Sequence, residues 1–228
     1  MSRRRRRSGW SLGVVVAVVA VVAGMAAFGF GDRPTPGDAD VSTSTSTSSA
    51  SAPTSTRTAS ASGLRQVHSP GRVAIDEQLV PGRCHVRTVD GKAGRVLPDA
   101  ACTPGAIDPA VTQSSIHRTI CVRGYTATVR PPESDTGPAK HESLADYGLA
   151  YTRTIEYDHL VPLELGGTNA VSNLWPEPNA AGARGVNNPK DRVENTLRAA
   201  VCGGRVSLAA AQRAIAHDWT TATATLGL

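Results

Sequence analysis

The chain has 228 residues, a formal net charge of +5 and only 4% aromatic residues. The positive excess lies in Arg3–Arg7, because residues 64–228 hold 17 Lys and Arg against 16 Asp and Glu. This balance excludes bulk charge as the basis of nucleic-acid binding by the folded part. Such binding would require a local basic patch or a metal ion.

Residues 1–31 have the pattern of an N-terminal signal-anchor or transmembrane segment. Five arginines precede Leu12–Phe30, a run without charged residues. The run is longer than the usual signal-peptide core of about 7–15 residues and close to the roughly 20 that span a bilayer. Because arginines stay in the cytoplasm, the C-terminal part is expected outside the cell. We favour a single-pass cell-membrane protein, with secretion after signal cleavage as the alternative.

Residues 32–63 form a linker rich in Ser and Thr, which has almost nothing to bury and is predicted to be disordered. Residues 64–228 have the mixed texture of one extracytoplasmic domain. Its four cysteines, Cys84, Cys102, Cys121 and Cys202, predict two disulfides. A four-cysteine zinc site is the competitor, although the usual Cys-x-x-Cys spacing is missing. Of three possible pairings we favour Cys121–Cys202 with Cys84–Cys102.

Turn and capping signals divide this domain into short elements. We predict one or two hairpin strands within 71–104, a short helix over 108–116, a strand over 119–129 and a helix over 143–149. A strand over 151–158 follows. The best-signalled helices are 189–201, with proline at its first position, and 207–219, with one apolar stripe. The fold class is therefore α+β.

Most of the candidate site chemistry lies between Glu156 and Trp175. Asp158 is a hard oxygen ligand for a metal ion, and a neutral His159 could act as a general base near physiological pH. Asn173 could hold His159 in place. Neighbouring residues on a strand point to opposite faces, so the strand must end or bulge there if Asp158 and His159 share a site.

The run Asp158-His159-Leu160-Val161-Pro162, continuing to Gly166-Gly167 and Asn173-Leu174, resembles the core of the HNH endonuclease family. The resemblance implies a ββα-metal core with added short strands and helices. It implies Asp158 as a metal ligand, His159 as the general base and Asn173 as the residue that orients it.

The family also carries a His or Asn at the start of its helix, often followed three residues later by Lys. Asn187 and Lys190 match this pattern, which makes Asn187 the candidate second metal ligand and Lys190 a candidate substrate contact. The alternatives to Asn187 are Asn179, Asn188, Asp191 and Glu194.

These residues predict a metal-dependent endonuclease that cleaves DNA or RNA. Two oxygen ligands completed by water suit Mg²⁺ or Mn²⁺. Nucleic acid is the expected partner, the N-terminal helix is expected to contact the membrane, and no obligate protein partner is inferred. The alternative is a non-catalytic, envelope-anchored binding or structural module on an HNH-like fold.

Overall fold

The computed structural model describes residues 60–186 and 188–228. Within these ranges the chain is a mixed α+β protein with three two-stranded sheets and two disulfides. The strands are β1 (Arg65–Gln66), β2 (Arg87–Asp90), β3 (Arg95–Leu97), β4 (Ala106–Ile107), β5 (Glu156–His159) and β6 (Leu174–Glu177). The helices are α1 (Tyr125–Val129), α2 (Glu133–Asp146), α3 (Lys190–Cys202), α4 (Leu208–Asp218) and α5 (Ala222–Thr225).

Strand pairing is local in two of the three sheets. β2 and β3 form an antiparallel hairpin, and β5 pairs antiparallel with β6 so that His159 lies opposite Leu174. β1 and β4 pair in parallel. Helix α3 packs on the 3-10 turn Leu163–Leu165, which follows β5. The segment that carries Asp158 and His159 is thus β5 itself, which is paired with β6 and followed by a turn that packs against α3.

The larger apolar cluster joins α3 and α4 to the loop after β5. It contains Leu197 and Val201 from α3, Ile215 from α4, and Trp219, with Leu165 from the loop. Each fully buried side chain of this size contributes about 1.5–3 kcal/mol. A smaller cluster beside β6 includes Trp175, which is fully buried. The loop after β5 is thus held by apolar packing against α3 and α4 and by hydrogen bonds between Val161 and the Asn173 side chain.

Two glycines allow the loop after β5 to fold back on itself. A Cβ on Gly167 would lie 1.7 Å from the Val161 carbonyl oxygen, which no side chain can tolerate. Gly166 has a φ of 75°, and a Cβ there would lie 2.6 Å from a Val111 methyl group. Glycine is needed at both positions because of close approach and, at Gly166, also because of the left-handed backbone.

The predicted helices 189–201 and 207–219 are confirmed as α3 and α4, and a hairpin is confirmed within 71–104 as β2 and β3. The predicted strand 119–129 is wrong. Its second half is α1, since Gly124 takes a left-handed turn just before it. Local β propensity is overridden because this segment has no partner strand in the described part of the chain.

Two helix predictions were also inaccurate. Residues 108–116 form turns and lead into a 3-10 turn at Ile116–Arg118. No helix begins at Asp108, because its carboxylate accepts a hydrogen bond from the Ala110 amide and contacts the imidazole of His68. The helix expected over 143–149 is the end of the longer α2, which continues through Pro138 and ends at Asp146. The predicted strand 151–158 is shorter and begins at Glu156.

We correct the single-pass membrane location expected from the sequence. No helix in residues 60–186 or 188–228 is long and apolar enough to cross a bilayer. The predicted segment 1–31, with its expected membrane contact, and nearly all of the linker 32–63 lie outside the described residues.

The disulfide pairing favoured from the sequence is confirmed. Cys84 bonds Cys102 across 18 residues, and Cys121 bonds Cys202 across 81 residues. No described cysteine is free. The two bonds are compatible with a secreted protein. The longer one ties the segment before α1 to the end of α3.

The chain-entropy model predicts different losses when each disulfide is removed. Replacing Cys121 and Cys202 by serine should lower the free energy of unfolding by about 4.5 kcal/mol, and replacing Cys84 and Cys102 by about 3 kcal/mol. The loss is larger for the first pair because it closes the longer loop. Urea unfolding of the two double variants tests this ranking. A larger loss for the Cys84 and Cys102 variant would contradict it.

Candidate active site

A small polar pocket of about 110 Å³ opens at the end of β5. Asp158 and His159 both line it, together with Glu156, Glu164 and Arg130. Strand β5 ends at His159. The sequence required the strand to end or bulge here if Asp158 and His159 were to share a site, and the strand does end here.

The imidazole of His159 is held by a carboxamide that the sequence did not single out. His159 Nε2 lies 2.9 Å from Asn169 Oδ1. The Asn169 amide nitrogen donates to the carbonyl oxygens of Ser69 and Val129, at 2.6 and 2.8 Å. Because both amide hydrogens are used, Oδ1 must face the ring and accept a hydrogen bond. The Nε2 atom therefore carries the proton, and a neutral ring leaves Nδ1 as the basic atom.

Burial keeps His159 neutral. The residue is 6% exposed, and this burial lowers the pKa of His159 to about 4. Asp158 and the hydrogen bond to Asn169 oppose that shift without reversing it. At physiological pH the ring is therefore free to accept a proton.

Asn173 braces the loop backbone and does not hold the imidazole. Its amide nitrogen donates to the carbonyl oxygens of Val161 and Thr168, at 2.9 and 2.8 Å. Its Oδ1 accepts from the backbone amides of Val161 and Ala106. The role expected for Asn173 is thus corrected. It fixes the segment after His159 through backbone groups, while Asn169 contacts the ring.

Lys190 lies inside the protein and makes no contact with solvent. Its ammonium donates to Asp158 Oδ2 at 2.6 Å, to the His159 carbonyl oxygen at 2.7 Å, and to Glu194. In this arrangement Lys190 ties the first turn of α3 to the end of β5, so the substrate contact expected for it is corrected. Asn187, the predicted second metal ligand, lies outside the described residues.

Several carboxyl groups are crowded around this single ammonium. Burial tends to raise the pKa of Asp158, but its neighbours, chiefly Lys190, together outweigh burial and lower that pKa. Burial, followed by Asp158, raises the pKa of Glu156 to about 7. Burial also raises the pKa of Glu194 to about 7, although Lys190 opposes this, and raises the pKa of Glu177 well above its usual range. The site thus carries more acids than its lysine can neutralise.

The alternatives to Asn187 occupy different positions. Asp191 and Glu194 line the pocket. Asn188 is buried, and its side-chain oxygen accepts a hydrogen bond from the Lys190 amide, 3.0 Å away. Asn179 bonds the carbonyl oxygen of Gly185 in the loop before α3.

A larger groove of about 610 Å³ is lined by Tyr157, which also lines the small pocket. Among the described residues that line this groove there are four carboxylates and no histidine. It therefore lacks a base that is neutral and available at physiological pH. We assign the candidate chemistry to the smaller pocket.

Comparisons of the chain with protein-family models, with curated proteins and with solved structures found no match.

Sequence reasoning missed Asn169 and Arg130, which both belong to the surroundings of His159. Asn169 follows Gly166-Gly167-Thr168. A polar side chain directly after a tight turn was the one local feature that could have indicated a role for Asn169 in the site. Its partner Ser69 is 100 residues away in the chain, so no local spacing could indicate the contact.

Replacing Lys190 by methionine should lower the free energy of unfolding by about 3–5 kcal/mol, because Asp158 and Glu194 would lose their buried cation. Urea unfolding measures this, with Lys92→Met at an exposed position as the matched control. Adding Glu194→Gln to Lys190→Met should cost less than the sum of the single changes, since it removes an unpaired carboxylate. A Lys190→Met variant as stable as the control would contradict the structural role.

Proposed function

We propose that this protein is a metal-dependent endonuclease of the HNH type, which hydrolyses phosphodiester bonds of DNA or RNA. The observation that carries the proposal is the neutral, buried His159 beside Asp158, with its Nε2 proton held by Asn169. The resemblance of this segment to the HNH core and the succession β5, β6 and α3 around it add support.

In the proposed reaction His159 Nδ1 accepts a proton from water. The water oxygen forms a bond to phosphorus while the bond from phosphorus to the leaving nucleotide oxygen breaks, and that oxygen takes a proton from solvent. Asn169 supports this step because a fixed Nε2–H leaves the Nδ1 lone pair in one orientation. A positioned base of this kind contributes typically 10²–10⁴-fold to a rate.

The residues around the pocket suit a hard divalent cation. The described residues include no group of three or more His, Cys, Asp or Glu arranged to hold a metal ion. Mg²⁺, however, needs only one or two carboxylates, with waters and substrate oxygens as its other ligands. Buried carboxylate oxygens of Glu156 and Glu164, which line the pocket, have no hydrogen-bond partner in the described structure.

Asp158 and Glu156 would hold such a cation, since they alternate on one face of β5. When bound, Mg²⁺ or Mn²⁺ would neutralise charge on the phosphoryl oxygens and stabilise the leaving oxygen. The unpartnered Oε2 of Glu156 supports this assignment for Glu156.

The size of the pocket supports low sequence preference. Its volume of about 110 Å³ is below the roughly 300–1,000 Å³ typical of small-molecule sites. A pocket of this size suits one phosphodiester group and leaves the bases outside. Contacts to the backbone alone carry no direct sequence information.

A second candidate is a non-catalytic binding module on the same fold. It is favoured by the ammonium of Lys190, which lies 2.6 Å from Asp158 Oδ2 and balances the charge of that carboxylate. In that case the buried cluster would serve stability alone, and the chain would not cleave nucleic acid.

Cleavage of plasmid DNA and of RNA by the full chain, with Mg²⁺ or Mn²⁺ and with EDTA, decides between the two candidates. His159→Ala should lower the cleavage rate by about 10²-fold or more, because the base is lost. His117→Ala, at an exposed position away from the pocket, is the matched control and should keep full activity. Absence of cleavage by the parent protein would favour the binding module. Equal cleavage by His159→Ala would contradict the assigned base.

A further inference from the structure

Arg130 is the one cationic residue among the described residues that line the pocket of Asp158 and His159. The other ionisable lining residues are His159, which is neutral, Tyr157 and five carboxylic acids: Glu156, Asp158, Glu164, Asp191 and Glu194. A phosphodiester carries a negative charge and is repelled by such walls. A positive charge in the lining would therefore favour the approach of a phosphate to His159, and Arg130 supplies one.

The backbone at Arg130 is fixed by the same carboxamide that holds His159. The carbonyl oxygen of Val129 accepts hydrogen bonds from Asn169 Nδ2 at 2.8 Å and from the Gly71 amide at 2.9 Å. The Arg130 amide donates to the Thr126 carbonyl oxygen at 3.0 Å. Pro131 follows and restricts Arg130 to an extended backbone, observed at φ −69° and ψ 133°. Asn169 thus sets the position of Arg130 relative to His159.

The guanidinium of Arg130 is available to a ligand. The side chain is exposed, and it forms no salt bridge with any residue of the described ranges. Arg130 and His159 both line the same pocket, which places the guanidinium near the ring. Lys190, by contrast, uses its ammonium inside the protein on Asp158 and Glu194.

We propose that Arg130 binds the phosphodiester group of the nucleic acid at the entrance to the pocket, the role that the sequence suggested for Lys190. This inference rests on the proposed nuclease function and names the residue that receives the substrate. The guanidinium offers two parallel N–H donors to phosphate oxygens, which a lysine ammonium cannot reproduce.

Binding of fluorescent oligonucleotides, measured by anisotropy across a range of salt concentrations, tests the inference. The full chain carries His159→Ala so that the probe is not cleaved, and single-stranded DNA, duplex DNA and RNA are compared. Arg130→Gln should weaken binding about tenfold. It should also reduce the slope of log affinity against log salt by about 0.7–0.9, the value expected for one lost phosphate contact.

Arg130→Lys should give an intermediate affinity with the salt slope retained, because the charge remains and the planar fork is lost. Arg123→Gln, which removes an exposed arginine that does not line the pocket, is the matched control and should bind like the parent. Thermal unfolding confirms that the variants are folded.

Two failures can be told apart. If the parent binds nucleic acid and Arg130→Gln binds equally well with an unchanged salt slope, the role of Arg130 is overturned and the nuclease proposal stands. If the His159→Ala protein binds none of the three probes, and the unmutated chain cleaves neither DNA nor RNA, the proposed function is overturned together with the role of Arg130.

Discussion

The buried ammonium of Lys190 is the contact on which the site depends. It joins α3 to β5 through Asp158 and the His159 carbonyl oxygen, and it balances Glu194 one turn further along the same helix. A buried ion pair is not in itself strongly stabilising, yet loss of one partner is costly because the remaining charge stays buried. Packing of α3 on the loop after β5 is therefore weakened most when one partner of this ion pair is lost and the other stays buried.

Asn169 adds a second constraint, which concerns the direction of hydrogen bonds. Its carboxamide connects three distant parts of the chain: the segment at Ser69, the end of α1 at Val129, and His159. Since all its donors and its acceptor are committed, it assigns the proton of the imidazole to Nε2. The same carboxamide sets the backbone before Arg130, so base and proposed phosphate contact share one support.

These two constraints separate the roles of residues that are close together in sequence. Asp158 is ionised because its neighbours, chiefly Lys190, outweigh burial and lower its pKa, whereas His159 is neutral because burial lowers its own pKa. Neighbouring residues thus hold a negative charge and a free lone pair at the same pH. The acids Glu156 and Glu194, with pKa values raised to about 7, limit the negative charge of the pocket near neutrality.

Local signals in the sequence were sufficient for part of this arrangement. Helices α3 and α4 have capping and periodic patterns, and the cysteine pairing was predicted correctly, as was a strand in the segment that leads to Asp158. The partners of His159, Asn173 and Lys190 were not, because each depends on a fold-level contact. Asn173 forms hydrogen bonds to backbone groups, and the residue types in a sequence do not indicate such contacts. From the sequence alone, Lys190 would be expected to lie in solvent, because the burial of its helix face depends on the fold. The strand predicted over 119–129 was wrong because its β-branched residues have no partner strand in residues 60–186 or 188–228.

The central claim is that His159 is a neutral base with its proton on Nε2. Side-chain ¹⁵N NMR of the full chain, recorded from about pH 5 to pH 8, measures both the tautomer and the titration of this ring. The account predicts the neutral Nε2–H form throughout, since the pKa of His159 lies at about 4. A ring protonated on Nδ1 alone, or a titration near the unperturbed value of about 6.5, would contradict it.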